Sequence, residues 1–357
     1  MQYMALGMKR DKALQITGLT HHKFYHRKSP GKKRGARPSV STQHYVDGKW
    51  QEAANEEVVE KIKENHRDPD LSYGYRKMSS ALQLDGYDIN HKKVYRLMRE
   101  SQLLQLMNKS RKKNYAKYRV IIPEGPLQCL EMDIKYVWIE SQRRHGYILT
   151  ILDVFTRMVL EWHVGLSITQ HTVKQVFARV IVNHLQTHDM LSKGIDIEVR
   201  NDNDKRFSAQ MVQQFFEDNF LNQVFTHPYT PQENGHVESF HAILGRSLDR
   251  CHFETLDDLE QHLTLFYHKY NNERVHGSIA NLPPSLFWEE WLKGNIKREV
   301  MHNNKVRFKS KIPRYQLSGN DHLRESSCLP VKGNKKVNGA ITLIQPSVQR
   351  SPSVASC

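Results

Sequence analysis

The spacing of hydrophobic and polar residues separates a helical first third of the chain from a mixed middle. Across residues 55–105, apolar positions recur every three or four residues, and Gly86 and Asn90 divide the pattern into successive helices. Across residues 128–250, short apolar runs alternate with helical stretches. Strands are expected at 129–139, 146–155, 158–164, 195–200 and 222–225, and helices at 169–188, 208–220 and 233–250.

The order of these elements predicts an α/β domain. Three strands that can form a meander are followed by helix, strand, helix, strand and helix, which is the element order of an RNase H-like mixed-sheet core. We expect this core to be preceded by all-α helix–turn–helix units. The first unit begins at Arg10, turns at Gly18 and continues in a second helix capped by Thr20, although an ordinary helical hairpin has the same pattern.

Changes in composition divide the chain further. Residues 29–41 are rich in Gly, Pro and basic residues, and the sequence beyond about 318 has few large apolar residues. The expected regions are 1–40, a helix–turn–helix with a basic linker; 41–120, a helical DNA-binding domain with a basic bridge; 121–255, the catalytic core; 256–300, a C-terminal helical extension; and 301–357, a basic and largely disordered tail.

The formal net charge of the 357 residues is +15, and it is distributed unevenly. The balance is +14 over residues 1–120, −7 over 121–300 and +8 over 301–357. Two basic arms predict a polyanionic partner, with nucleic acid as the first choice, although a ribosomal-type or merely soluble basic protein would share this composition. The acidic middle fits a segment whose carboxylates hold metal cations.

Cysteine content and hydropathy narrow the cellular setting. The four cysteines are too scattered for a disulfide framework or a Cys-x-x-Cys zinc site, and no run of about 18 apolar residues predicts a membrane span. The N-terminus does not resemble a signal peptide. We therefore expect a cytoplasmic, nucleoid-associated protein without membrane contact.

Three carboxylates occupy positions that suggest chemistry. Asp133 lies inside the first strand of the core among apolar neighbours, Asp202 directly follows the strand ending at Arg200, and Glu238 lies on the last helix. A charge inside a buried strand costs several kcal/mol unless it is paired or binds metal. The middle of the chain holds 24 acidic residues, so spacing alone does not select this triple; its placement on the elements does.

Paired divalent ions would give these acids a function. Two Mg²⁺ or Mn²⁺ ions about 3.5–4 Å apart can activate water and stabilise a leaving 3′ oxygen in phosphodiester cleavage. Mg²⁺ prefers oxygen ligands and retains several waters, so few carboxylates suffice. One Asp would bridge both ions, and the other two acids would each complete one ion.

Several motifs together resemble the insertion-sequence transposases whose catalytic core is of the retroviral-integrase (DDE) type. The resemblance covers about residues 50–290. The matching segments are LEMDIKYVW around Asp133; a hairpin with Tyr147, Asp153, Thr156 and Arg157; RNDNDKRFSA around Asp202; HPYTPQENGHVESFHAIL around Glu238; and YNNERVHGSIANLPPSLF with Arg274, His276 and Pro284.

The resemblance implies an enzyme that cuts mobile-element ends and transfers the strand into target DNA, using Asp133, Asp202 and Glu238 with Mg²⁺ or Mn²⁺. It also implies a homo-multimer that binds the terminal inverted repeats as paired ends. One position departs from the family, since Asp204 stands where a Gly is usual. If that Gly takes a positive φ, Asp tolerates it at some cost; Asp204 also adds charge and is a rival for the second ligand.

Eight further residues are candidate DNA contacts, although each could equally lie on a solvated or buried polar face. They are Lys23 and Tyr25 on the second short helix, Lys92, Lys93 and Arg96 on a basic helix expected to face outward, and Asn234, His241 and Arg246 around Glu238. Asp153 is expected to stabilise its hairpin and not to bind metal. The competing interpretations are a decayed transposase that only binds DNA, and an RNA-cleaving nuclease on the same fold.

Overall fold

A computed structural model describes residues 2–25, 39–104, 122–226, 234–301 and 305–317. Compactness divides the chain into two units, Met1–Val40 and Ser41–Cys357. The expected disordered tail beyond 318 and most of the expected basic linker and basic bridge lie outside the described residues. Among the residues that are described, no helix has both the length and the apolar character needed to cross a bilayer.

The described residues of the first unit form three short helices, α1 (Gln2–Ala5), α2 (Arg10–Thr17) and α3 (His21–Tyr25). Gly18 ends α2 in the left-handed conformation, with φ at 63°, and its N–H donates to the carbonyl of Gln15. The Thr20 hydroxyl accepts a hydrogen bond from the N–H of Lys23 at 3.3 Å. The turn at Gly18 and the cap at Thr20 are therefore as the sequence predicted.

The second unit opens with a small sheet that the sequence pattern did not predict. Strands β1 (Ser41–Val46), β2 (Lys49–Ala54) and β3 (Tyr87–Asp88) are antiparallel in the order β2-β1-β3. In the two longer strands only Thr42 and Ala53 are buried, so there is no hydrophobic alternation to detect. The expected helices follow as α4 (Asn55–Arg67), α5 (Tyr75–Leu84) and α6 (His91–Glu100).

Gly86 joins α5 to β3 and cannot carry a side chain in this conformation. Its φ is 95°, and a Cβ at this position would lie 2.6 Å from the carbonyl oxygen of Tyr45. The close approach pairs β1 with the turn, because the N–H of Tyr45 donates to the Gly86 carbonyl at 2.9 Å. Only glycine meets both conditions.

The core of the second unit is a five-stranded mixed sheet. Its strands are β4 (Cys129–Ile139), β5 (Arg144–Asp153), β6 (Val159–Gly165), β7 (Ile197–Asn201) and β8 (Leu221–Phe225). The order is β6-β5-β4-β7-β8, antiparallel among the first three strands and parallel across β4, β7 and β8. This is the RNase H-like arrangement that the element order predicted.

Helices cover both faces of this sheet. They are α7 (Gln170–Val180), which continues as a π-helical segment Ile181–Gln186, then α8 (Gln210–Asp218), α9 (Gly235–Leu248) and α10 (Leu256–Asn272). One face packs on α7 and α8 through residues such as Met132 and Phe177, and the other packs on α9 and α10 through residues such as Ile148 and Phe240. Residues of β4 therefore alternate between two cores.

The C-terminal elements complete the core of the helices that follow the small sheet. They are α11 (Pro284–Leu292), β9 (Ile296–Val300), β10 (Val306–Ser310) and α12 (Arg314–Leu317). One hydrophobic cluster contains Val58 and Ile62 of α4 together with Phe287, Ile296 and Leu317. Residues far apart in sequence thus share one core.

Candidate active site

The three sequence-predicted carboxylates lie at one region of the central sheet. Asp133 is on β4, Asp202 immediately follows β7, and Glu238 is in the first turn of α9. Strands β4 and β7 are parallel, and Glu131 pairs with Arg200. Two residues further along the chain in each case, Asp133 and Asp202 are therefore opposite each other. Neighbouring strands are roughly 4.8 Å apart, so the two carboxylates project from adjacent positions.

Electrostatic effects link Asp202 and Glu238 to Asp133. Partial burial raises the pKa of Asp202, and repulsion from Asp133 and Asp204 adds to this increase. A hydrogen bond from the N–H of Asp204 opposes it. Partial burial, then Asp133 and then Glu131, raises the pKa of Glu238. Like-charge repulsion of this kind requires the groups to be close. Asp202 and Glu238 therefore each lie near Asp133, which occupies the middle of the set.

The donor chemistry of this set suits a hard divalent cation, since all three groups offer carboxylate oxygens. As positioned in the described part of the chain, however, no three His, Cys, Asp or Glu side chains form a group that could already hold a metal ion. The three acids thus have the appropriate type and neighbourhood for a metal without forming a closed ligand set.

His241 pairs directly with the central acid. Its Nδ1 lies 3.2 Å from Oδ2 of Asp133, while its Nε2 is buried and has no hydrogen-bond partner among the described residues. His241 is one turn beyond Glu238 on α9, so both side chains point to the same face of the helix. A residue that the sequence suggested as a DNA contact is in fact a neighbour of the catalytic candidate Asp133.

The loop after β7 resolves the question raised by Asp204. Its φ is not positive, so no glycine is needed at this position. Its carboxylate accepts hydrogen bonds from the backbone N–H and the Nε of Arg206, both at 2.8 Å, and this partner lowers the pKa of Asp204. The N–H of Asp204 in turn donates to Oδ1 of Asp202 at 3.1 Å. Asp204 therefore orders the loop and orients Asp202.

Arg206 extends this loop to an aromatic surface on the other side of the sheet. Its Nη2 donates to the hydroxyl of Tyr136 at 2.9 Å, and its guanidinium lies 5.6 Å from the ring centre of Tyr147. Tyr136 is half exposed and packs edge-on against Tyr147. The position of the Asp202 loop is therefore coupled to β4 and β5.

Glu131 is a buried acid that the sequence interpretation missed. It is 1% exposed, and its Oε2 accepts the N–H groups of His236 at 3.0 Å and Val237 at 2.7 Å. Its Oε1 lies 2.9 Å from Nδ1 of His236, and burial raises the pKa of Glu131 to about 7. A strand residue thus caps the helix that carries Glu238. The signal in the sequence was the two-residue spacing from Asp133, which places both acids on one face of β4.

Asp153 stabilises its hairpin, as the sequence predicted. It is fully buried and accepts hydrogen bonds from the N–H groups of Leu127, Phe155 and Thr156 and from the Thr156 hydroxyl. Burial raises the pKa of Asp153 against the lowering effect of these donors. Its oxygens are occupied by this turn, so it is not placed to bind a metal.

The eight suggested DNA contacts divide into exposed and engaged residues. Lys23, Tyr25, Lys92 and Arg246 are exposed, and Arg96 is partly buried. Tyr25 accepts a hydrogen bond from Arg10 at 2.5 Å.

The other three residues are engaged within the fold. Lys93, expected to face outward, is turned inward, because its ammonium donates to the carbonyl of Ser41 and to the Thr42 hydroxyl at 2.6 Å. Asn234 is only 6% exposed at the start of α9, and His241 pairs with Asp133, which agrees with the buried polar roles that the sequence left open for them. Residues 227–233 of the motif HPYTPQENGHVESFHAIL lie outside the described residues.

Three segments of the chain match known protein families. Residues 50–112 match an HTH-like domain family, and residues 123–231 and 220–284 match two families described as integrase core domain. The HTH-like match includes α4, α5 and α6, and the core matches include β4 through α10.

Similar full-length proteins belong to bacterial insertion elements. An insertion element IS476 uncharacterized 39.2 kDa protein of Xanthomonas euvesicatoria is 24% identical over 306 residues, covering 84% of this chain and 77% of its own. The putative transposase InsK for insertion sequence element IS150 of Escherichia coli K12 is 22% identical over 246 residues, covering 64% and 81%.

Solved structures give a weaker likeness. A simian T-cell lymphotropic virus intasome chain aligns at 15% identity and a TM-score of 0.37, over 79% of this chain and 80% of that one. The Mos1 transposase catalytic domain aligns at 13% identity and a TM-score of 0.36, over 62% and 88%. TM-scores this low establish nothing beyond the sequence matches. Those matches confirm that the chain resembles the insertion-sequence transposases and carries an integrase-type core behind an HTH-like domain.

Proposed function

We propose that this protein is a transposase that cuts DNA at the ends of a mobile element and joins the freed end to target DNA, with Asp133, Asp202 and Glu238 as its catalytic residues. The observation that supports this proposal most directly is the proximity of Asp202 and Glu238 to Asp133, whose charge adds to partial burial in raising the pKa values of Asp202 and Glu238. Three acids from separate elements have no evident structural reason to approach one another.

In this proposal Asp133, Asp202 and Glu238 would hold two Mg²⁺ or Mn²⁺ ions. Bound there, the ions would activate water and stabilise the leaving 3′ oxygen. The protein positions the ligands: the N–H of Asp204 orients Asp202, and Glu131 fixes the start of the helix that carries Glu238. His241 holds the Asp133 carboxylate in its current orientation. No Ser or Tyr nucleophile is required.

The partner in this proposal is double-stranded DNA. The HTH-like domain and the first unit would bind terminal inverted repeats through exposed residues such as Lys23, Tyr25 and Lys92, with Arg96 beside them. Paired ends would be held by a homo-multimer, and the protein would act at the nucleoid in the cytoplasm. The basic N-terminal and C-terminal arms would add contacts to phosphates that do not depend on sequence.

A cleavage assay tests this function. Labelled duplexes that contain the DNA flanking the gene are incubated with the full-length protein and Mg²⁺ or Mn²⁺, with EDTA as the blank. We expect metal-dependent nicking that Asp133→Asn, Asp202→Asn and Glu238→Gln each reduce to background, while Glu217→Gln, an exposed acid on α8, leaves it unchanged.

The alternative is a decayed transposase that only binds DNA, which the presence of Asp204 where the family usually has Gly suggests. Binding of the flanking duplexes without nicking in either metal would support this alternative and exclude the enzyme. Preferential cleavage of an RNA–DNA hybrid over duplex DNA would instead indicate a nuclease on the same fold.

A further inference from the structure

Basic side chains lie beyond the three acids along α9. Glu238 and His241 are near Asp133, and Gly245 and Arg246 follow about two helical turns after Glu238. Lys135, two positions after Asp133 on the same face of β4, lies beside this part of the helix, since its Nζ is 3.4 Å from where a Cβ at Gly245 would be. The charge in this region thus changes from acidic to basic within about two helical turns.

Cations from two other elements meet the basic end of this face. Lys77 of α5 has its Cε 3.9 Å from the Cβ position of Gly277, in the loop after α10. Arg274, from the same loop, donates through Nη1 to the carbonyl of Asp70 and lies 5.9 Å from the ring centre of Tyr73. Burial, followed by the charges of Arg274 and Arg246, lowers the pKa of Lys77 to about 8. Ser247, the residue after Arg246, also bonds to Asp70, so the segments that carry Lys77, Arg246 and Arg274 lie against one another.

The nearby acid does not neutralise these cations, because it has other partners. Asp70 forms an ion pair with Arg250 and accepts a hydrogen bond from the Ser247 hydroxyl at 3.2 Å. In the part of the chain that the structure describes, Lys77 and Arg246 form no ion pair with a carboxylate.

One nitrogen of the same cluster is also unsatisfied. Within the described residues, Nε of Arg274 is buried and has no hydrogen-bond partner. Positive charge and a buried donor left without a partner are costly, and a bound anion with several oxygens would remove much of that cost.

We propose that Lys77, Arg246 and Arg274 form a binding site for one phosphate group of the DNA backbone. Its location relative to the chemistry rests on the proposed function. Arg246 is eight residues beyond Glu238 on one helix, which is about 12 Å at 1.5 Å per residue.

The site would also determine how recognition and cutting are aligned. Lys77 belongs to a helix of the HTH-like domain, whereas Arg246 follows Glu238 on the helix of the core. A single phosphate bound by Lys77 and Arg246 would fix the position of the DNA strand relative to the HTH-like domain and to the three carboxylates at the same time. The spacing between the recognised sequence and the cut would then be set by this contact.

DNA binding in EDTA tests the site without requiring cleavage. The affinity of the full-length protein for a mixed-sequence duplex is measured over a range of salt concentrations for wild type, Lys77→Gln and Arg246→Gln. Lys63→Gln is the control, because Lys63 is an exposed lysine already paired with Glu60. We expect each cluster variant to bind roughly tenfold more weakly and to lower the slope of log K against log salt by about 0.9, and the control to match wild type.

Thermal melting separates this role from a structural one. Removing an uncompensated cation should leave the melting temperature of Lys77→Gln unchanged or raise it, whereas loss of a structural contact would lower it. Wild-type affinity and slope in both cluster variants would overturn the site and leave the proposed function standing. The expected binding changes in a protein that never cuts DNA would contradict the proposed function and keep the site.

Free phosphate is the other source of the same chemistry. Inorganic phosphate, compared with chloride at equal ionic strength, should weaken duplex binding by wild type more than by Lys77→Gln. If phosphate instead raises the melting temperature of wild type alone while duplex binding is the same in all variants, the site takes free phosphate and the DNA proposal is wrong.

Discussion

Removal of the Glu131 carboxylate should detach the start of α9 from the sheet. In Glu131→Ala, two N–H groups, those of His236 and Val237, lose the acceptor that now lies 3.0 and 2.7 Å away. Arg157, whose charge acts on Glu131, loses a buried counter-charge as well. The first effect alone resembles the loss of a helix cap, which costs about 0.5–2 kcal/mol.

Because these groups are buried, the total loss in the free energy of unfolding is larger than the loss of a helix cap alone. Each unsatisfied buried N–H costs about 1–3 kcal/mol, and breaking a buried charge pair costs about 3–5 kcal/mol. These terms overlap because they share one carboxylate, so we expect a loss of about 3–5 kcal/mol in Glu131→Ala. Glu131→Gln keeps one acceptor oxygen and should lose about 1–2 kcal/mol.

Native-state hydrogen exchange localises this effect to the helix. A loss of about 3 kcal/mol corresponds to roughly a hundredfold faster exchange of the first-turn amides of α9, and slower DNA cutting should accompany it because Glu238 is in that turn. Glu161→Ala is the matched control, a buried acid on β6 that pairs with Arg179 away from α9. If α9 in Glu131→Ala exchanges no faster than in the control, the capping argument is refuted.

Three other changes have defined outcomes. Burial, followed by the charges of Lys77 and Arg274, lowers the pKa of His276 from 6.5 to about 3. Between these two pH values the unfolded chain binds a proton at His276 and the native state does not, so this residue should lower the free energy of unfolding by about 1.4 kcal/mol for each pH unit below 6.5. Urea denaturation of His276→Asn should lack that pH-dependent component. Gly86→Ala should lose about 2 kcal/mol or more in the same assay, because it combines strained φ with a backbone clash, and a neutral result would contradict that conformation. Arg206→Ala should cut DNA roughly 10- to 100-fold more slowly because the Asp202 loop loses its anchor to Asp204, and an unchanged rate would show that the anchor is dispensable.

Elements with strong periodicity were predictable from sequence, and weakly patterned ones were not. The strand Cys129–Ile139 was predicted to the residue because its apolar positions leave no other interpretation. The small sheet of β1, β2 and β3 was missed, since its strands bury almost nothing and are held by backbone hydrogen bonds. The helix expected from Ser208 begins at Gln210, after Ala209, whose side chain makes no cap.

The candidate site shows the same contrast. Acids at the ends of elements could be selected from sequence because strand order predicts which ends meet. Contacts across elements could not: Lys93 was expected on an outward face, and His241 was left open between a DNA contact and a buried role, and both contact residues distant in sequence. Whether a polar side chain on a helix faces solvent or a neighbour depends on packing that the helix's own sequence does not encode.

The cluster that joins α4 to the last described residues has a consequence for synthesis on the ribosome. Val58 and Ile62 are fully buried against a group that includes Ile296 and Leu317, and Arg314 adds a hydrogen bond to Gln83 at 3.0 Å. Those partners are translated roughly 230 to 260 residues later, which takes about 10 to 50 s at usual elongation rates. During that interval the nascent HTH-like domain has an apolar surface without its native cover, so chaperones have access to it until those partners have been translated.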